Sequence, residues 1–316
     1  MIVHGEKPTR AGYGEALLAL GGNDANIVVF DADLAKSTTT NWFAERFPNR
    51  FFDAGIAEQN MLGMAAGISL MGKIPFVSTY GVFVAGRAWD QIRTTICYSR
   101  LNVKIGGMHG GVSVGPDGAT HQALEDIASM RVLPNMTVLS PCDFHEAFRA
   151  TLAAADHDGP VYLRFGRENV PIITEPADPF EIGRAIVRRA GRDVALLATG
   201  HLVYHAMLAA EELAAAGVEA TVLNVHTIKP LDREAVLDAA RSCGCVVTCE
   251  EHQIAGGLGG AVAELLAAEA PTPMRFIGIA DRFGQSGRPE ELFAAFGLTA
   301  GHIAAAAREA MRAAGK

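Results

Sequence analysis

Short runs of β-branched and aromatic residues alternate along the chain with longer alanine- and leucine-rich stretches of helical spacing. That alternation is the βα rhythm of a parallel sheet covered by helices on both faces. In the first half it predicts strands at Ile27–Phe30, Phe51–Ala54, Phe76–Ser78, Val103–Gly106, Thr137–Ser140 and Val161–Phe165. The helices between and beside them are Ala11–Leu20, Glu58–Met71, Gly86–Tyr98, Gln122–Met130 and Phe144–Ala155, and a glycine-rich loop, His109–Thr120, follows the fourth strand. Pro171, Pro176 and Pro179 then punctuate a stretch without helical period, and proline breaks both ladders and helices. A second series follows, with strands at Val194–Thr199, Ala220–Asn224, Val246–Cys249 and Arg275–Gly278. Its helices are Tyr204–Ala216, Arg233–Ser242, Leu258–Ala270, Pro289–Phe296 and His302–Ala314. The expected fold is α/β with two domains, 1–170 and 182–316, each a mostly parallel sheet flanked by helices and joined by a linker at 171–181.

Composition narrows the partners. A net charge of −8 leaves no basic face for a nucleic-acid duplex. Five cysteines, an odd number, fit reduced thiols better than a disulfide framework and point to a cytoplasmic setting. Cys243, Cys245 and Cys249 cluster, but no second pair accompanies them as a metal site requires, so they read as small apolar residues. The amino-terminal residues lack the basic and apolar regions of a signal peptide, and no apolar run approaches the roughly 20 residues of a membrane span.

The generic catalytic signatures are missing: no phosphate-binding G-x-x-x-x-G-K-[ST] loop, no H-E-x-x-H, no G-x-S-x-G and no dinucleotide fingerprint. Two segments carry chemistry instead. In Gly55-Ile56-Ala57-Glu58-Gln59-Asn60 a carboxylate stands where a strand ends and an apolar helix begins, with Gly63 and Gly67 one turn apart behind it for close packing. Such a setting desolvates the carboxylate and favours its protonated form, unless Glu58 is simply a first-turn helix carboxylate favoured by the dipole. In the His109–Gln122 loop, two histidines and Asp117 follow a strand, and loops at the carboxyl ends of parallel strands are where ligands bind.

At these residues the chain resembles the transketolase family of thiamine-diphosphate enzymes, and it looks like the carboxyl-terminal two-thirds of a full-length member. The likeness takes in the Glu58 motif, Asp117-Gly118-Ala119-Thr120-His121-Gln122, Leu133-Pro134-Asn135-Met136, Pro141-Cys142-Asp143, Glu250-Glu251-His252 and Gly256-Gly257-Leu258-Gly259. The resemblance implies that Glu58 bonds the cofactor's aminopyrimidine nitrogen and favours its imino tautomer, which takes the thiazolium proton. It implies that Phe83 stacks on the pyrimidine, with Tyr80 and Arg87 beside it, and that Asp33 lies in an acidic turn near the thiazolium. His121 then lies near the cofactor amino group and the substrate carbonyl, Asp117 binds a substrate hydroxyl, and Arg10, Ser37, His109 and Arg167 hold the sugar phosphate.

One departure decides the expected assembly. The family's Gly-Asp-Gly motif, which with a downstream Asn holds the metal on the diphosphate, does not occur here. The resemblance therefore implies a split transketolase. A second, amino-terminal subunit supplies the diphosphate domain and most of the grip on a divalent metal (Mg or Ca), in a heterotetramer with two copies of each chain that acts on pentose-phosphate-type sugar phosphates. The alternatives are the beta subunit of a 2-oxo acid dehydrogenase decarboxylase, a deoxyxylulose-phosphate-synthase-like enzyme, and a non-catalytic scaffold. The carboxyl-terminal half carries no residue read as catalytic. His226 reads as structural, and His252 stays open between packing and a subunit contact.

Overall fold

From the amino end, β1 (Glu6–Pro8) leads into α1 (Thr9–Asn23) and β2 (Ile27–Asp31). The short α2 (Ala35–Thr38) and α3 (Asn41–Arg46) precede β3 (Phe51–Asp53), α4 (Glu58–Leu70), β4 (Ile74–Tyr80), α5 (Gly81–Arg87) and β5 (Lys104–Met108). Then come α6 (Asp126–Arg131), β6 (Thr137–Leu139), α7 (Phe144–Asp156), β7 (Val161–Arg164) and β8 (Asn169–Pro171). The second half runs β9 (Ile186–Arg189), β10 (Val194–Ala198), α8 (Leu202–Ala215), β11 (Ala220–Asn224), β12 (Thr227–Lys229) and α9 (Arg233–Cys243). It closes with β13 (Val246–Gln253), α10 (Leu258–Glu269), β14 (Met274–Ile279), α11 (Pro289–Ala295) and α12 (Ala300–Ala313). This computed structural model describes residues 1–316.

The strands form two mostly parallel sheets. A seven-stranded sheet has the order β12-β6-β7-β5-β4-β2-β3, with only β12 antiparallel. A five-stranded sheet has the order β14-β13-β10-β11-β9, with only β9 antiparallel. Every residue of β2, β5, β10 and β11 is buried, which is why they read as near-continuous apolar runs. The helices between them are set locally. Asp143 caps α7 by accepting from the Glu146 N–H (3.0 Å), and Ala147, Ala150, Thr151 and Ala154 form its buried stripe. Asp232 caps α9, which ends on Gly244 in the left-handed region. No helix is long and apolar enough to cross a membrane.

The α/β reading therefore holds, and the departures are local. Gly86–Tyr98 is not one helix: α5 ends at Arg87, and Gln91–Cys97 winds as a wider π-helical turn, with Tyr98 N–H bonding Arg93 O at five-residue spacing. The helix expected from Gln122 starts only at Asp126, because Gln122–Ala123 is taken up in holding the preceding loop: Gln122 Nε2 bonds Val112 O, and Gly111 N–H bonds Ala123 O. The proline-rich segment is fastened at its start. Pro171 ends β8, and Asp143 Oδ2 accepts from the Ile173 and Thr174 N–H groups. Strand β12, from the second half, pairs with β6 at the edge of the first half's sheet.

Parallel order puts the carboxyl ends of β2, β3, β4, β5 and β7 along one edge of the seven-stranded sheet. The two-stranded β1–β8 pairing adds to that edge. Its register (Pro8 opposite Asn169) and the Gly166 N–H bond to Thr9 Oγ1 (2.9 Å) bring the start of α1 beside the loop after β7.

Candidate functional site

The first cluster follows from that register. Arg10, at the start of α1, donates from Nη1 to Ser37 O (2.7 Å). Arg167, after β7, donates from Nη1 to Val114 O (2.8 Å) and pairs with Asp117 Oδ1 (3.2 Å). Burial and the Arg167 charge hold the Arg10 guanidinium below its usual range, and the same pair helps depress His109. His109 is 2 % exposed, its Nδ1 has no partner, and burial, then Arg10 and Arg167, push it down to about 3. It is therefore a neutral ring at working pH: a donor or acceptor, not a third cation. Between the two halves opens a cleft of about 570 Å³ whose walls include Arg10, Arg167, Ser113, His201, His205 and Thr299. Two guanidiniums at one end of such a cleft suit a tetrahedral oxyanion.

The second cluster is aromatic. Tyr80 stacks on His109 (centroids 3.9 Å, 26°) and on Phe83 (5.5 Å, 25°), and His121 stands edge-on to Phe83 (5.5 Å, 70°). His121 Nδ1 shares a hydrogen with Thr120 Oγ1 (2.9 Å). Arg87 lies with its guanidinium 4.3 Å over the Phe83 ring and donates from Nη1 to Glu58 Oε1 (3.0 Å). Glu58 is the first residue of α4 and is buried despite its place in the first turn. The contacts thus run without a break from Glu58 through Arg87, Phe83, His121 and Tyr80 to His109.

Asp33 stands apart from the aromatic patch. Its N–H bonds Asp53 Oδ1 (3.0 Å), which also accepts from Gly55 N–H (2.9 Å), and it shares a small cleft with Ser37. The buried carboxylate of that turn is Asp31, held by the Thr38 and Thr40 hydroxyls and the Leu34 N–H, with burial pushing it up to about 6. Gly63 and Gly67 do not serve close packing within the chain. A Cβ at either would meet nothing within 4 Å, because this face of α4 is open.

Residues 6–172 match the family of transketolase pyrimidine-binding domains, and residues 183–303 match the transketolase C-terminal domain. A chain of Methanocaldococcus jannaschii, provisionally named a transketolase C-terminal section, is 46% identical over 309 residues, 97% of each chain. The chain belongs to the transketolase family. The 6-deoxy-6-sulfo-D-fructose transketolase subunit SqwH of a Clostridium species is 44% identical, over 94% of this chain and 92% of its own. Among solved structures, a split-gene transketolase, an inactive beta4 tetramer, superposes with a TM-score of 0.90 at 48% identity, covering 98% of this chain and 99% of its own.

The structure gives partners to further residues to which the sequence assigns no catalytic or binding role. Arg164, Asp126 and Tyr162 form a buried network: Arg164 Nε donates to Asp126 Oδ2 (2.9 Å), and Tyr162 OH donates to the same oxygen (2.7 Å). Glu250 accepts from the Leu258 and Gly259 N–H groups (2.8 Å each) at the start of α10, and burial pushes it up to about 7. His201 and His205, on the cleft wall, are pushed down to about 3 and about 4 by burial. His252 is fully buried within the chain, where Nε2 accepts from Ala128 N–H (3.3 Å) and Nδ1 donates to Gln253 O (2.7 Å), so it packs α6 and is no subunit contact. His226 stacks on Phe180 (4.2 Å), as a packing residue does. All five cysteines are free and buried, and no three His, Cys, Asp or Glu side chains gather as a metal centre needs.

Proposed function

We propose that this chain is one subunit of a two-chain transketolase that transfers a two-carbon ketol unit from a ketose phosphate to an aldose phosphate, using thiamine diphosphate. The observation that carries the reading is continuity: a buried carboxylate, an aromatic platform and two histidines lie in one line of contacts along the carboxyl edge of a parallel sheet, and the Arg10 and Arg167 charges act on the last of them, His109. The residues suit the cofactor. The Arg87 guanidinium, over the Phe83 ring with an N–H directed at Glu58, is itself a planar donor of the kind an aminopyrimidine presents. The cofactor, when bound, supplies the nucleophilic carbon.

The protein's part follows from its own groups. Glu58 accepts a hydrogen bond at the pyrimidine ring and holds its proton balance; Phe83, with Tyr80 and Arg87, sets the ring plane. His121 faces the reacting carbonyl as a neutral or charged donor. Arg10, Arg167, Ser37 and the neutral His109 bind the terminal anion, and Asp117, tethered to Arg167, accepts from a sugar hydroxyl. Asp33 belongs to the same proposal as part of the turn near the thiazolium. The two domains are taken as 1–170 and 182–316, with 171–181 between them. The resemblance to a sulfo-sugar transketolase subunit makes an anionic sugar the substrate class, with phosphate as the first choice.

The partner reading rests on sequence and on one surface. No Gly-Asp-Gly motif occurs in the chain, and α4 presents Gly63, Met64 and Gly67 to solvent, with Ile56 before the helix and Leu70 and Met71 at its far end each about three-quarters exposed. An apolar face of that kind beside Glu58 fits a second chain carrying the diphosphate grip and the divalent metal, in an assembly of two copies of each, in a cytoplasmic setting. The deciding test combines the purified chain with the product of a neighbouring reading frame that encodes Gly-Asp-Gly, thiamine diphosphate and Mg²⁺, and follows ketol transfer between sugar phosphates. The chain alone should be inactive and the mixture active. Full activity of the chain alone, or turnover of pyruvate or branched 2-oxo acids with an electron acceptor, would sink the reading.

A further inference from the structure

The substrate-loop segment, Gly111–Gln122, is gripped by the carboxyl-terminal half at both ends. At its start, Ser113 N–H donates to Glu251 Oε1 (2.5 Å) across 138 residues of sequence. Gly111 has φ +93° and passes so close that an added Cβ would lie 2.2 Å from Glu251 Cδ. At the other end, Gln122 Nε2 donates to Gln285 O (2.9 Å) as well as to Val112 O (3.1 Å), and a Cβ on Gly118 would meet Ser286 Oγ at 2.5 Å. Asp117 and His121 lie between these two fastenings.

Glu251 is built to hold its position. It is 5 % exposed, and its backbone carbonyl accepts from Arg164 Nη2 (2.9 Å), the same nitrogen that holds Ala123 O (2.9 Å). A carboxylate on a buried strand costs desolvation energy, and a core leucine or valine would pack there without that cost. The group it meets is a backbone N–H of the loop, a donor that must find an acceptor once buried.

We propose that Glu251 is a positioning residue: from the carboxyl-terminal domain, it fixes the loop that presents Asp117 and His121, and so sets affinity for the sugar substrate without touching it. This rests on the reading of that loop as the substrate loop, and it gives the second domain a part in the site beyond packing. It also accounts for the glycine at 111, where any side chain would displace the carboxylate.

The test uses the full chain and three variants: Glu251→Ala, which removes the acceptor; Glu251→Asp, which retracts it by one methylene; and Glu251→Gln, which keeps an acceptor oxygen without the charge. Hydrogen exchange of the 109–122 amides is measured on the chain itself, and steady-state kinetics on the chain reconstituted with its partner. Exchange at Ser113 should be as slow as in β13 in the wild type, and roughly tenfold faster in the Ala and Asp variants. KM for the donor ketose phosphate should rise roughly tenfold in the same two, with kcat within about threefold, and the Gln variant should restore both. Unchanged exchange and KM in a folded Ala or Asp variant overturns the proposal, as does a Gln variant as impaired as Ala. If Ala fails to fold, the Asp variant and the wild-type exchange rate decide. Absence of ketol transfer in the wild-type assembly would count against the transketolase reading alone, because the exchange measurement does not depend on it.

Discussion

The two ends of the candidate site are built in opposite ways. The loop bearing Asp117 and His121 is fastened by both halves of one chain, with Glu251, Gln285 and Arg167 all bonded to it. The Glu58 end has one such bond, from a half-exposed Arg87, and the helix behind it turns glycines and large apolar side chains to solvent. One end is finished by the chain's own fold, and the other is finished only by something placed against it. Substitutions should therefore act differently at the two ends: on substrate recognition at the fastened one, on chemistry and assembly at the open one.

The largest contrast should come from Glu58→Gln. In the reconstituted enzyme, turnover should fall by roughly 10²–10⁴ with an unchanged far-ultraviolet circular dichroism spectrum, since proton handling at the pyrimidine is lost while the fold stays. Turnover within a few-fold of wild type would remove Glu58 from the chemistry. At the fastened end, Arg167→Ala should raise KM for a phosphorylated donor by roughly 10- to 100-fold and leave an unphosphorylated donor nearly unaffected, because a charge-assisted contact to the anion is lost from a partly buried guanidinium. An equal loss on both substrates would show that Arg167 holds the loop through Val114 and Asp117 and does not read the phosphate.

A smaller effect tests the open face. Gly67→Leu should leave the thermal midpoint of the chain within the scatter of ordinary surface changes, about 0.5 kcal/mol, because nothing lies within 4 Å of the added carbon, while weakening partner association by at least tenfold in an analytical ultracentrifuge. A clear drop in the midpoint would mean that the face is covered within the chain.

The remaining effect is electrostatic. Burial pushes Glu251 up to about 7, against an ordinary value of 4.5. The folded state therefore holds that proton more tightly than the unfolded chain, and Glu251's contribution to stability falls as pH rises from about 4.5 through about 7. Chemical denaturation should show the wild type losing stability relative to Glu251→Gln across that window, and a difference that is flat with pH would refute the shift. By contrast, His109, held near 3, should contribute no titration limb to substrate binding between pH 5 and 8.

Much of this was legible in the chain. The long parallel strands announce themselves because they are buried on both faces, and Glu58, His109, Asp117 and His121 stand in segments dense enough to read together, while Phe83 and Arg167 enter only through the family resemblance. The residues that escaped share a physical reason. Strands β1, β8 and β12 (Glu6-Lys7-Pro8, Asn169-Val170-Pro171 and Thr227-Ile228-Lys229) lack the apolar run that marks the equally short β3 and β6, yet the β1–β8 register is what brings Arg10 to Arg167. Glu251 sits in a strand whose eight residues include two adjacent carboxylates, a pattern that reads as a solvated strand end until tertiary contacts bury it. Glu251 stands in the Glu250-Glu251-His252 segment that the family likeness takes in, and Gly111 is one glycine among several in a loop where glycine is expected, so neither points to the other in the linear sequence.

The pairing of β12 with β6 has a consequence for anyone who would divide this molecule. Texture in the sequence changes at Pro171–Pro179, and a protein engineer would place the cut there. A fragment ending at that point would leave Thr137–Leu139 as an open β-edge, its backbone donors and acceptors offered to any neighbouring molecule. Its soluble yield would depend on blunting that edge, and one remedy is a short tail carrying the Thr227–Lys229 sequence, appended to the fragment so that it folds back antiparallel where the remote segment now lies.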